Sequence, residues 1–164
     1  MSIERTPKPF SSLDVAWTES SEAPRFALRY RHLSRAAIGD EYRVGVAIEE
    51  LAPGKQSSPA HYHIFEEEHV YILEGALTVC IGADTYEMKA GDYVCFPAGQ
   101  KAGHCLINNS GAGPCSYLMI GEHNANDVCV MPDSNKMEVR ALRTKDSIFD
   151  MSGLRNYLDG EQTG

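Results

Sequence analysis

Residues 59–75 read PAHYHIFEEEHVYILEG, three histidines and four glutamates within seventeen positions. His61 and His63 are two apart, so on an extended strand both side chains project from one face. Two imidazoles on one face can bind a single transition metal ion, and a nearby carboxylate would complete the set. Glu66, Glu67 and Glu68 compete for that part. The other reading is a solvated acidic edge beside two ordinary histidines. His104, in the strand-like GHCLIN, is a more distant fourth donor.

Outward from this stretch the texture is that of short strands. RFALRYRHL alternates Phe26, Leu28 and Tyr30 with Arg25, Arg29 and Arg31, a period of two that suggests a strand. EYRVGVAIEEL is a second strand, followed by the turn signal APGKQSSPA. EHVYILEGALTVCIG reads as two strands joined by a hairpin-like break at Glu74-Gly75. Further short apolar runs are punctuated by Ala90-Gly91-Asp92, Pro97-Ala98-Gly99 and Asn109-Ser110-Gly111. Such spacing predicts an all-β sandwich or barrel with little helix. Residues 1–24 are polar and proline-containing and read as an arm. EHNANDVCVMPDSNK reads as a loop, MEVRALR as a strand, and the tail offers Ile148, Phe149, Leu154, Tyr157 and Leu158 as apolar anchors.

Length and composition narrow the partners. A chain of 164 residues favours one domain and can bury most of its surface without a metal or disulfide. The net charge of −8, with 15 scattered Lys and Arg, argues against nucleic acid. No apolar run approaches a membrane span, and MSIERTPKPF lacks the apolar core of a signal peptide. Five cysteines, an odd number without a C-x-x-C pair, fit a reduced cytoplasmic setting rather than a disulfide framework. The N-terminal strand around Phe26–Tyr30 could add to a partner's sheet, so a homodimer is expected.

Two motifs carry a resemblance to the cupin superfamily. Gly54, His61, His63, Glu68 and Gly75 match its first motif, and Gly91, Pro97-Ala98-Gly99, His104 and Asn108 its second. The gap from Gly99 to His104 holds four residues, longer than the family's usual one, and the first motif is long by one. The resemblance spans 51–120. It implies an all-β, double-stranded β-helix (jelly-roll) barrel over 42–122, with an N-terminal extension, 1–41, and a C-terminal one, 123–164, packed on barrel or partner. It selects Glu68 over Glu66 and Glu67. It thereby implies one divalent transition metal ion (Fe, Mn, Ni or Zn) held by His61, His63, Glu68 and His104, with part of its sphere open. Glu66 and Glu67 then read as a solvated edge and His69 as outward-facing; His32 and His123 lie outside both motifs and are given no role. The PDSNK turn and the closing NYLDGE also resemble bacterial single-domain cupins of unassigned function.

Cupins use such a site for isomerisation, epimerisation, decarboxylation, lyase chemistry, dioxygenation or sensing, and fold alone does not choose. The first reading is a metal-dependent enzyme, isomerase, epimerase or lyase, on a small oxygen-rich metabolite such as a sugar, sugar phosphate or oxo acid. Arg29, Arg31 or Arg43 would hold its anionic group. The second is an iron-dependent dioxygenase with Tyr, Phe and Met around a more apolar substrate. The third is a non-catalytic small-molecule sensor.

Overall fold

The computed structural model describes residues 8–21, 23–144 and 147–160. The first seven residues of the expected N-terminal arm lie outside that range. Thirteen strands, β1 to β13 in chain order, dominate the described residues; the one α-helix, α1 (Leu33–Ile38), has six residues.

One sheet has the order β1-β2-β3-β10-β5-β8. These strands are β1 (Thr18–Ser21), β2 (Ala27–His32), β3 (Val44–Leu51), β10 (Cys115–Glu122), β5 (Glu68–Glu74) and β8 (Tyr93–Phe96). The opposite wall has two parts. β7 (Asp84–Lys89), β6 (Ala76–Ile81) and β9 (His104–Ile107) form the first. β4 (Tyr62–His63), β11 (Val128–Met131), β12 (Lys136–Val139) and β13 (Ile148–Asp150) form the second. A single rung joins them: the His61 amide donates to the His104 carbonyl at 3.1 Å, and the His104 amide returns a bond to His61 at 2.8 Å. The strand pairs are antiparallel throughout, and the two walls enclose an all-β barrel.

Strand alternation builds the core. On β5, Val70 and Ile72 have no exposed surface, whereas Tyr71 and Leu73 are more than two-fifths exposed. Glu68 falls on the inward parity with Val70 and Ile72, a choice that the apolar Tyr71 and Leu73 had obscured. Leu51, Leu77, Val79, Leu106 and Tyr117 belong to the same cluster. Each such side chain contributes about 1.5–3 kcal/mol by leaving water.

Several local expectations are corrected. Glu74-Gly75 is not a hairpin: β5 pairs with β10 and β8, while β6 pairs with β7 and β9. The chain there crosses from one wall to the other. Gly75 makes the corner with φ +83°, and a Cβ on it would lie 2.8 Å from the Pro114 carbonyl oxygen. β2 pairs with β3 of its own chain and is covered on its other edge by β1, so it has no free edge for a partner. The expected loop at 122–136 contains β11, which pairs with β4. The tail anchors are not buried: Ile148, Phe149, Leu154, Tyr157 and Leu158 are all exposed.

Candidate metal centre

The four sequence-selected side chains meet inside the barrel. The rung between His61 and His104 brings β9 beside the start of β4, and β11 holds His63 opposite Cys129. Glu68 opens β5, opposite Phe96 on one side and Gly121 on the other. The glycine leaves room: a Cβ at 121 would sit 3.4 Å from Glu68 Cγ. Glu68 Oε2 lies 3.0 Å from His104 Nε2, 3.6 Å from His63 Nε2 and 3.8 Å from His61 Nε2. Two donors bound at about 2.0–2.2 Å to one ion stand roughly 3.0–3.5 Å apart. Donor atoms of His61, Glu68 and His104 lie within 4.8 Å of one another, whereas His63 groups with His61 and Cys129 and with Glu66 and Asp127, so His63 is the ligand that must shift for all four to close on one ion. The residues fit a divalent transition metal in type.

Two of the imidazoles face an acceptor at their far nitrogen; at the third, His104, Nδ1 faces the Gln100 amide nitrogen and accepts. His61 Nδ1 lies 2.9 Å from the Pro59 carbonyl, and His63 Nδ1 lies 2.6 Å from Asp127 Oδ2. A proton donated there leaves Nε2 with its lone pair toward Glu68, the arrangement that metal-bound histidines use. His104 Nδ1 lies 3.2 Å from the Gln100 amide, and its ring stacks on Phe96 at 3.7 Å and 3°. Gln100 comes from the long gap of the second motif, so those added residues supply a partner for His104. Asn108 closes that motif by donating to the Leu51 and Gly113 carbonyls.

Electrostatics follow from enclosure. Burial lowers the His61 pKa, against the pull of Glu68. For His63 burial also lowers, but the Asp127 hydrogen bond and the Glu68 charge outweigh it and the pKa rises. Burial pushes Glu68 up, yet the His104 hydrogen bond and the neighbouring imidazoles bring it below the usual carboxylate value. Asp127 has no exposed surface; burial raises it, and the His63 hydrogen bond and the Phe65 amide together win and lower it.

Three cavities, of about 330, 190 and 460 Å³, meet here, and Glu68 belongs to the wall of each. The first is bordered by Tyr30, His32, Arg35, Tyr42, His123 and Arg140, among others. His32 and His123, given no role from sequence, flank Tyr42 with ring centroids 4.7 and 4.8 Å apart. Arg29 and Arg31 stack instead over Trp17, so the arginines facing this cavity are Arg35 and Arg140. Glu66 is no solvated edge: it is 3% exposed, pairs with Arg140 at 2.6 Å and accepts the Asn124 amide at 2.6 Å. Sequence reasoning also missed Asp127 and Glu49. Asp127 stands 64 positions from the histidine it orients, and no local pattern links them. Glu49 shared its strand parity with Ala47 and Leu51, which are buried, and that parity was a readable signal.

Three imidazoles and a carboxylate thus face one another inside a two-walled antiparallel barrel, a candidate ligand group in a small β-barrel. Residues 47–121 match the Cupin domain family, and the chain is a small cupin-domain protein. Among solved structures it is similar to a candidate sugar phosphate isomerase of Acidithiobacillus ferrooxidans, with 27% identity and TM-score 0.73 over 87% of this chain and 88% of that one. A sugar phosphate isomerase of Silicibacter pomeroyi has 24% identity and TM-score 0.73 over 93% and 98%. A polyketide cyclase of Streptomyces resistomycificus has 22% and 0.57 over 71% and 80%, a likeness of fold. No curated protein sequence matches the chain. No helix among the described residues is long and apolar enough to cross a membrane.

Proposed function

We propose that this protein is a metal-dependent isomerase acting on a small hydroxylated anion of the sugar phosphate kind. His61, His63, Glu68 and His104 would hold one divalent ion of Fe, Mn, Ni or Zn. The observation that carries the reading is that Glu68 is shared between the donor cluster and a 330 Å³ cavity also walled by Arg35, Arg140, Glu49, His32 and His123. Likeness to the Acidithiobacillus protein supports the substrate class.

When bound, the ion would supply Lewis acidity toward a carbonyl or hydroxyl oxygen. The chain's own groups do the rest. Arg140 is held by Glu66 and Arg35 by Asp40, and their remaining N–H groups can meet a phosphate or carboxylate at the cavity wall. Glu49 borders both this cavity and the 190 Å³ one, and Tyr117 Oη donates to its Oε2 at 2.8 Å. Burial raises the Glu49 carboxyl, the Tyr117 bond opposes, and the Glu68 charge adds to the rise, giving about 7. A carboxyl poised there can take a proton from the carbon beside a carbonyl and return it to the neighbouring carbon. Tyr117, pushed well above its ordinary value by burial, keeps its proton as donor.

The test is a panel of aldose and ketose phosphates, run on metal-loaded and chelated protein, with and without oxygen. Turnover should fall at least about 100-fold on chelation and be indifferent to oxygen. Turnover that survives chelation sinks the reading. An oxygen requirement would favour an iron-dependent dioxygenase using the smaller cavity, whose wall includes Leu28, Phe96, Leu106 and Met119. Metal-dependent binding without turnover would leave a sensor.

The five free thiols fit the cytoplasmic setting. The homodimer we propose would form through the C-terminal strand and tail rather than through the N-terminal strand that the sequence suggested. β13 is the outer strand of its sheet, and its Ile148 and Phe149 are exposed, as are Leu154, Tyr157 and Leu158 beyond it. Light scattering at micromolar concentration should give twice the chain mass; a monomer mass refutes it.

A further inference from the structure

We propose a second metal site, for zinc, on the outer face of the barrel, made by Glu67, His69 and Cys95. One donor atom of each of these half-buried residues lies within 4.8 Å of the other two. The frame is fixed by pairing, because His69 and Cys95 stand directly opposite each other on β5 and β8. Glu67, two residues before His69, shares its face. Glu68, between them, points the other way into the central cluster, so strand alternation separates the two sites.

The local chemistry suits a cation. His69 Nε2 lies 3.1 Å from Glu67 Oε1, close to the separation of two donors on one zinc ion. A thiolate and an imidazole on one zinc ion stand roughly 3.5 Å apart, so closing the set from within 4.8 Å asks for a shift of at most roughly 1.3 Å. The far nitrogen of His69 is already held: Nδ1 lies 2.6 Å from Tyr93 Oη, and the two rings stack at 5.9 Å and 21°. An ion at Nε2 requires the tautomer whose single proton sits on Nδ1, which then donates to Tyr93 Oη; the tautomer with Nε2–H toward Glu67 is the one that the ion excludes. Imidazole, thiolate and carboxylate are the donors that zinc accepts in protein sites, and three of them leave a fourth position for water. This inference stands apart from the proposed function.

Cobalt(II), a coloured stand-in for zinc, tests it on the full-length protein. Wild type should bind one equivalent more than Cys95→Ser, and that equivalent should bring a thiolate-to-cobalt charge-transfer band in the near ultraviolet. His69→Ala should lose both as well. Failure of the central cluster to bind metal would lower the totals by one in all three proteins and leave their difference intact. Cys129, near His61 and His63, could supply a weaker band of its own, so the comparison is of intensity: equal stoichiometry, or a band of equal intensity, in wild type and Cys95→Ser overturns the outer site. Unchanged circular dichroism, expected for half-exposed positions, confirms that the variants fold.

Discussion

His61→Ala should carry less than about a tenth of an equivalent of transition metal in the central cluster, against close to one in wild type, when both are purified without chelator. The comparison is made in a Cys95→Ser background, so that the outer site does not contribute. A mononuclear site that loses one of four donors loses its geometry and one metal–nitrogen bond, while its charge is unchanged because imidazole binds in the neutral form. The rung that His61 makes with His104 uses main-chain atoms, so alanine leaves the wall of the barrel joined. Asp127→Asn should show a graded loss, with affinity down about 10–100-fold, because the ligand stays while its orienting carboxylate goes. Elemental analysis and competition with a chelator read both variants. Full occupancy in His61→Ala would remove that residue from the ligand set. Unchanged affinity in Asp127→Asn would make the 2.6 Å contact with His63 purely structural.

Glu49→Gln should alter the pH dependence of stability by an amount that unfolding measurements resolve. The Glu49 carboxyl rises from 4.5 to about 7 on folding. A raised folded value means that its stabilising contribution is complete below about pH 4.5 and is lost as pH climbs through about 7. Part of the side chain borders cavities that admit water, which trims the full linkage energy to on the order of 2 kcal/mol. Glutamine cannot ionise but can still accept from Tyr117 Oη. The stability of Glu49→Gln relative to wild type should therefore increase by that amount between pH 4.5 and 8, roughly 4–8 °C in Tm for a chain of this size. Both proteins are measured metal-free, so the histidines titrate alike and cancel. A difference that stays flat across this range would show that Glu49 ionises normally.

The sequence was most readable where function compresses information into short spacings. His61 and His63 share a strand face, and the count to Gly75 singled out Glu68; these positions converge in the structure with His104. Hydrophobic alternation found the strands, yet it could not say which sheet each one joins. Gly75 looked like a hairpin because a two-strand hairpin and a crossing between walls begin with the same tight turn. What lay hidden depends on register between distant segments. Asp127 meets His63 only because β11 pairs with β4, and Arg140 meets Glu66 across 74 positions. Glu66 was misjudged for that reason: a glutamate in an acidic run looks solvated until its arginine is known. The tail residues show the reverse failure, since Leu154 and Tyr157 have the chemistry of anchors but stay exposed among the described residues.

Asp127 and Arg140 both lie past residue 121, where the match to the Cupin domain ends. The four candidate donors lie inside the matched span, while the carboxylate against His63 and the Arg140 cation at the cavity wall come from the segment that follows it. That segment is not detachable, because β11 pairs with β4 and closes the wall that carries His63. Substitutions confined to residues beyond 121 would therefore change the surroundings of the candidate donors while leaving the donors themselves in place.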